Sequence, residues 1–235
     1  MPAKAVLFDL DNTLTHRAQS IERYAQRFLS DYADVLRRDT SPKEIAAIIA
    51  AVDNGGYLPA ESPYASIRDA VGWALVEALQ WRSPMTAKDL TGHWMNYFPS
   101  TSVAMPGAEK LLKELALEGT ALGVISNGAE HSRRRTVEAL PFGSEIKVVI
   151  SSEACGYSKP SSEIFHAGAD ALGYPAEQCV FVGDHPQNDY QGAKTSGMQA
   201  VWLEGFHDWP SDFAPATHSI RSLNELLPLL KQNSP

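Results

Sequence analysis

Only two cysteines, Cys155 and Cys179, occur in 235 residues, and they lack CxxC spacing. That excludes a disulfide scaffold and fits a reducing compartment in which both thiols are structural. No apolar run approaches the length needed to span a bilayer, and the chain opens directly on a strand, with no room for a charged leader and an apolar signal core. The expectation is a soluble cytoplasmic protein. Basic charge is scarce as well: 28 acidic against 20 basic residues leave a net charge of −8. This excludes a general nucleic-acid binder and provides no basic tail for an anionic membrane, while allowing a local basic site. The seven histidines show no metal-ligand spacing such as HxxxH, and there is no internal repeat or low-complexity tract. What is abundant is apolar residue, 44% of the chain, enough to bury a sizeable core in one large domain or two modest ones.

The apolar run Ala5-Val6-Leu7-Phe8 ends in Asp9-Leu10-Asp11-Asn12-Thr13. A run this short, bounded by polar turn formers, reads as a buried parallel strand. Asp9 and Asp11 stand at i and i+2, which point to the same side of a strand. Two like charges that close cost free energy unless a cation, a shared proton or a ligand compensates them. The residues alone also allow a plainer reading, in which one aspartate caps a following helix and Asn12 makes a turn.

From about Gln19 to Phe98 the pattern is helical, with almost no strand signal. Ser20 to about Arg38 places Ile21, Tyr24, Phe28, Tyr32 and Val35 on one face. Pro42 favours a new start from Ser41 towards Val52, Asp53-Asn54-Gly55-Gly56 is a turn, and further helices run from Ser62 to about Leu79 and from Met85 to Tyr97. Four helices make a small bundle, rich in Tyr57, Tyr64, Trp73, Trp81, Trp94, Tyr97 and Phe98, most of them read as its core.

Beyond Met105 helix and strand alternate, the signature of a parallel sheet with crossover helices. Helices are expected over Ala108–Leu117, Glu130–Leu140, Ser162–Leu172, Tyr190–Thr195 and Ser222–Leu230. Strands are expected at Leu122–Ile125, Lys147–Ile150, Cys179–Val182 and Ala200–Leu203. The first strand belongs to this sheet. The fold class is therefore α/β, a doubly wound parallel sheet over residues 1–15 and 100–235, with a four-helix insertion over 16–99. Ligands are expected at the carboxyl ends of the strands.

Chemistry does cluster there. Asp9 and Asp11 follow the first strand, Ser126-Asn127-Gly128 the second, and Gly183-Asp184-His185-Pro186-Gln187-Asn188-Asp189 the fourth, while Lys159-Pro160 precedes the helix leading into that fourth strand. The set supplies carboxylates for a hard cation, a hydroxyl with nearby amides for an oxyanion, and an ammonium, which are the parts of phosphoryl transfer.

These residues resemble the haloacid dehalogenase superfamily, in its phosphatase-like branch with a helical cap. Asp9-Leu10-Asp11-Asn12-Thr13 is similar to the family's DxDxT motif, Ser126 to its second motif, Lys159 to the third, and Gly183-Asp184 with Asp189 to the fourth. The resemblance implies that Asp9 attacks phosphorus to form an aspartyl-phosphate. Asp11 then protonates the leaving alcohol and later takes a proton from water, its main-chain carbonyl contacting the metal. Mg²⁺ is implied as cofactor, with Asp9, Asp11 and Asp184 as its residues. Ser126 and the amides around Asn127 would hold the phosphoryl oxygens and Lys159 would neutralise charge. Thr13 would orient the Asp9 loop, and Asp189 is either a further ligand or the residue that orients Lys159. The implied activity is a Mg²⁺-dependent phosphatase acting on a small phosphorylated metabolite. The alternatives are a phosphomutase and a metabolite-binding module without turnover. Dehalogenases of the superfamily replace the second aspartate, so Asp11 argues against that chemistry.

Other signals are weaker. Gly192-Ala193-Lys194-Thr195 lacks the spacing of a phosphate-binding loop, and Leu14 and Ser20 occupy positions where a calcium loop needs glycine and glutamate. Arg133-Arg134-Arg135 fans around a helix and reads as a solvated face. His185 reads as a loop residue. His16 and Arg17, after Thr15, are the candidates for meeting a leaving group.

Overall fold

The computed structural model describes residues 4–37, 39–58 and 61–232. The chain divides into two compact units, Met1–Thr15 with Ala104–Pro235, and His16–Val103. Strand β1 (Ala5–Phe8) is fully buried, and after it the chain passes into the helical unit. Entry and exit run side by side. Thr15 and Ala104 form an antiparallel bridge, Met105 N donates to Leu14 O at 2.8 Å, and within the helical unit His16 N donates to Val103 O at 2.8 Å.

The helical unit consists of α1 (Arg17–Tyr32), α2 (Pro42–Asp53), α3 (Ile67–Ala78) and α4 (Ala87–Tyr97). Helix α1 is shorter than its apolar stripe suggests. Leu36 bridges to Trp81, Arg37 N donates to Gln80 O and Arg82 N to Val35 O, so this backbone finds partners across the unit rather than along a helix. The expected end at Arg38 lies outside the described residues. Ser41 caps α2 through Glu44 N with Pro42 at the first turn, and Thr86 and Asp89 close a capping box on α4. Helix α3 begins at Ile67 rather than Ser62, because the Ser66 side chain accepts from Asp69 N and caps it there. Gly72 lets α3 and α4 approach closely: a Cβ at this position would fall 2.2 Å from Thr91 Oγ1 and 2.6 Å from the Ala87 carbonyl. The core joins Tyr24, Phe28, Ile45, Ile49, Val71, Leu75, Leu90 and Trp94. Phe98 stacks on Trp94 with ring centroids 3.9 Å apart. Trp73 is the aromatic of this unit that is exposed.

A polar chain runs through that core. His93 Nδ1 lies 2.8 Å from Tyr24 Oη and His93 Nε2 lies 3.0 Å from Asp31 Oδ2, which also accepts from Arg27 Nε at 2.5 Å. A carboxylate only accepts, so Nε2 carries the proton and Nδ1 accepts from the tyrosine hydroxyl. Burial lowers the His93 imidazole below its ordinary value of 6.5, against the opposing pull of Asp31. The stability contributed by neutral His93 is therefore fully present above about pH 6.5 and is lost as pH falls through the lower folded-state value. Thermal unfolding should show a fall in Tm between pH 7.5 and pH 5 that is smaller in His93→Gln, by on the order of 3 °C for each kcal/mol of this linkage.

The other unit continues with α5 (Ala108–Leu117), β2 (Ala121–Ser126), α6 (Glu130–Ala139), β3 (Val148–Ser151), α7 (Ser152–Cys155), α8 (Ser162–Leu172), β4 (Cys179–Gly183), α9 (Gly192–Thr195), β5 (Gln199–Leu203), β6 (Ser219–Ile220) and α10 (Leu226–Gln232). The six strands form one parallel sheet in the order β3-β2-β1-β4-β5-β6. Alternate residues of β1 serve opposite layers: Val6 and Phe8 pack with Leu111, Leu112 and Leu115 of α5, whereas Ala5 and Leu7 pack with Ile164 and Phe165 of α8. This is the doubly wound α/β arrangement with a helical insertion after its first strand. The two-residue β6 and the four-residue α7 are too short for periodicity to reveal. Helix α10 starts later than expected because Ser222 caps a 3₁₀ turn at Leu223–Glu225 first. Among the described residues no helix is long and apolar enough to cross a membrane.

Candidate active site

Strand β1 sits between β2 and β4, where successive connections leave to opposite sides, so a crevice is expected at its carboxyl end. Register aligns the contributors. Phe8 pairs with both Val124 and Val182, placing Asp9 one residue beyond that rung and Ser126 and Asp184 two beyond it. Asp9 N extends the ladder by donating to Val182 O at 2.9 Å. Asn12 then turns the chain with φ 60°, a left-handed conformation that asparagine tolerates, and Leu14 N and the Thr15 hydroxyl both return to Leu10 O.

Lys159 lies at the centre of the charge network. Its Nζ donates to Asp9 Oδ1 at 2.5 Å and to Asp189 Oδ1 at 2.7 Å, and all three side chains are buried. Asn127 holds the lysine's main chain in two directions, its Oδ1 accepting from Lys159 N at 2.8 Å and its Nδ2 donating to Lys159 O at 3.1 Å. Asp189 reaches the site because Pro186–Gln191 winds as a single π turn, capped by His185 Nδ1, which accepts from Gln187 N and Asn188 N. Asp189 Oδ2 accepts from His185 N at 3.0 Å. Gly183 is required beneath it, since a Cβ there would fall 2.5 Å from the Asp189 carboxyl carbon.

Asp184 is 1% exposed. Its Oδ1 accepts from the Thr13 hydroxyl at 3.5 Å and its carbonyl from Trp202 Nε1 at 2.9 Å. Among the described residues its Oδ2 receives no hydrogen bond, with His207 Nε2 standing 3.4 Å away. Burial pushes the Asp9 carboxyl up to about 7 against the pull of Lys159, with the Asp189 charge adding to the rise. Burial and the Asp9 and Asp189 charges likewise hold Asp184 well above the carboxylate range. Burial opposes the Lys159 charge, but Asp189 and Asp9 outweigh it and hold the ammonium above its ordinary range.

Oxygen atoms of Asp9, Asp184 and Asp189 lie within 4.8 Å of one another. Three ionised carboxylates against one ammonium would leave surplus negative charge, the repulsion that raises Asp9 and Asp184, and one buried oxygen has no donor among the described residues. A divalent cation fits that arrangement, and an all-oxygen donor set suits a hard ion such as Mg²⁺. The cluster contains Asp9 and Asp184 of the set named from the sequence, where Asp11 enters through its main-chain carbonyl. The Asp11 carboxylate is engaged by Arg133, whose NH1 donates to its Oδ2 at 2.7 Å.

Thr13, Lys159 and Asn127 thus join the aspartates in one network, and Ser126, 2% exposed, ends β2, the strand paired with β1. His16 and Arg17 belong to the helical unit, where the Arg17 guanidinium grips both oxygens of Asp53. Arg133 departs from the solvated face read for its tripeptide: its side chain is 16% exposed, against 54% for Arg134. A signal was present, since a cation in the first turn of a helix opposes the helix dipole and needs a local anion. His207 lies outside every motif.

The model of a family described as haloacid dehalogenase-like hydrolase matches residues 3–197. Phosphoglycolate phosphatase of Rhodospirillum rubrum is 30% identical over 201 residues, covering 84% of this chain and 78% of that protein. Glyceraldehyde 3-phosphate phosphatase of Methanocaldococcus jannaschii is 28% identical over 233 residues, 97% of each. Among solved structures, the HAD-hydrolase YfnB of Bacillus subtilis bound to magnesium superimposes with a TM-score of 0.70 at 20% identity, covering 98% of this chain and 100% of that one.

Proposed function

The chain belongs to the haloacid dehalogenase-like hydrolases, and from that membership we propose that it is a Mg²⁺-dependent phosphatase hydrolysing a small phosphorylated metabolite through an aspartyl-phosphate at Asp9. The observation that carries this reading is the buried Asp9 carboxylate, held by Lys159 at a strand end and facing a second carboxylate, Asp184, whose Oδ2 has no donor among the described residues. In the first half-reaction an Asp9 oxygen bonds to phosphorus as the ester P–O bond breaks, and Asp11 gives its proton to the departing oxygen. In the second, water attacks phosphorus, Asp9 is released, and Asp11 takes the water's proton. The Ser126 hydroxyl, the amides around Asn127 and the Lys159 ammonium hold the phosphoryl oxygens, and Asp189 orients Lys159. Mg²⁺ held by Asp9 and Asp184, with the Asp11 carbonyl, would supply charge neutralisation for the transferring group.

Support for a small ester comes from relatives named for phosphoglycolate and glyceraldehyde 3-phosphate, and magnesium is bound in a structural relative. The helical unit is inserted after β1, where the family carries its cap.

Assay of inorganic phosphate release from a panel of phosphorylated metabolites tests the reading. Release should require Mg²⁺ and stop on chelation, with Asp184→Asn shifting the Mg²⁺ requirement to higher concentration by about tenfold or more. Conversion of an ester to its isomer without free phosphate would instead make the protein a mutase. Tight metabolite binding with no turnover would make it a binding module.

A further inference from the structure

Arg133 ties two loops of the sheet's carboxyl edge together. Beside its bond to Asp11 Oδ2, its Nε donates to the Asn127 carbonyl at 3.1 Å. One planar group therefore spans the loop after β1 and the loop after β2. Gly128 makes room for it: this residue has φ 140°, and a Cβ there would fall 2.5 Å from Arg133 Nε and 2.6 Å from NH2. Arg133 lies in the first turn of α6, its N donating to Ala129 O, where the helix dipole disfavours a cation. The Asp11 carboxylate offsets that cost. Glycine, guanidinium and carboxylate form one matched assembly.

Resting on the phosphatase reading above, we infer that Arg133 is a positioning residue for Asp11. It grips Oδ2 and so holds the carboxyl group that exchanges the proton. In the first half-reaction the Asp9 oxygen–phosphorus bond forms, the ester P–O bond breaks and the proton passes from the Asp11 carboxyl to the leaving oxygen. In the second, the water oxygen–phosphorus bond forms, the Asp9 oxygen–phosphorus bond breaks and the water proton returns to the Asp11 carboxylate. Arg133 forms no bond to substrate in either step. A guanidinium suits the task, because one rigid group donates to the carboxylate and to the carbonyl at once, which the point charge of lysine does not reproduce.

Positioning an acid matters in proportion to how badly the leaving group needs a proton. An alkyl alkoxide needs one, whereas p-nitrophenolate departs without it. The experiment measures kcat/KM, which covers steps through leaving-group departure, for the alkyl phosphate hydrolysed fastest in the panel and for p-nitrophenyl phosphate. Wild type, Arg133→Ala, Arg133→Lys, Arg133→Gln and Asp11→Asn are compared, with folding checked by circular dichroism. The alkyl-to-aryl ratio should fall by about tenfold or more in Arg133→Ala, less in Arg133→Lys, and furthest in Asp11→Asn. If Arg133→Ala does not fold, Arg133→Gln decides by the same ratio. A ratio unchanged in the arginine variants while it falls in Asp11→Asn overturns the inference, whether both esters slow together, as for a phosphate-binding residue, or neither does. Absence of release from both esters by the wild type would overturn the phosphatase reading itself, and this inference with it.

Discussion

Asp9→Asn should reduce phosphate release by on the order of 10⁴-fold or more while leaving the protein folded. The amide has the size of the carboxylate but offers no anionic oxygen to attack phosphorus, so the covalent route closes. The same substitution should raise stability in the absence of metal. The folded-state value of Asp9 lies near 7, above its ordinary 3.8. Its ionisation in the folded protein therefore costs stability as pH rises through about 7, and at pH 8 the cost is fully present. Asparagine removes that charge. Metal-free Asp9→Asn should melt above metal-free wild type at pH 8, and Mg²⁺ should raise its Tm less than that of wild type. A fall in activity accompanied by a fall in metal-free Tm would show that the aspartate is there to hold the fold.

The largest expected loss of stability lies in the helical unit, at Arg17. Its Nε donates to Asp53 Oδ2 at 2.8 Å and its NH2 to Asp53 Oδ1 at 2.6 Å, with the side chains 6% and 1% exposed. The guanidinium also lies over the Phe98 ring, 5.4 Å from its centroid. Arg17→Ala takes both of these donors from a buried carboxylate, a change that costs about 3–5 kcal/mol, or on the order of 10 °C in Tm for a chain of this size. Arg17→Lys should recover only part of this, because an ammonium does not satisfy both oxygens in the plane of the fork. Arg17→Met combined with Asp53→Leu should recover most of it, since two apolar side chains leave no charge stranded. Urea unfolding of the single and double variants measures the coupling. A loss below about 1 kcal/mol in Arg17→Ala would place the pair among those that contribute little.

Much of the fold was legible because burial on both faces writes strands as short apolar runs. Ala108–Leu117 and Ser162–Leu172 could be bounded to the residue. Gly107 at φ 85° opens the first and Gly173 at φ 79° closes the second, where side chains bearing a Cβ are disfavoured. The failures have local causes. Ser62-Pro63 looks like a helix start, but the Ser62 hydroxyl accepts from Tyr64 N in a loop, and Ser66 caps the helix closer to its apolar face. In the site, Asp9, Lys159, Asp184 and Asp189 could be picked out because each follows or precedes a recognisable strand or helix, and these four converge. Arg133 with Asp11 could not be. The two are 122 positions apart, and their meeting depends on the register of β1 against β2, which periodicity does not determine. The role of Asn127 as a clamp on the Lys159 main chain was hidden for the same reason.

The bridge between Thr15 and Ala104 bears on how such a chain can be assembled. A long excursion from a sheet normally carries an entropic cost for bringing its ends together, which grows with the logarithm of its length. Here the excursion folds with its own ends already paired, His16 to Val103, so the sheet experiences little more than a tight connection. The helical segment is thus a module whose length and composition can drift, or be exchanged for another, without respacing β1 from β2.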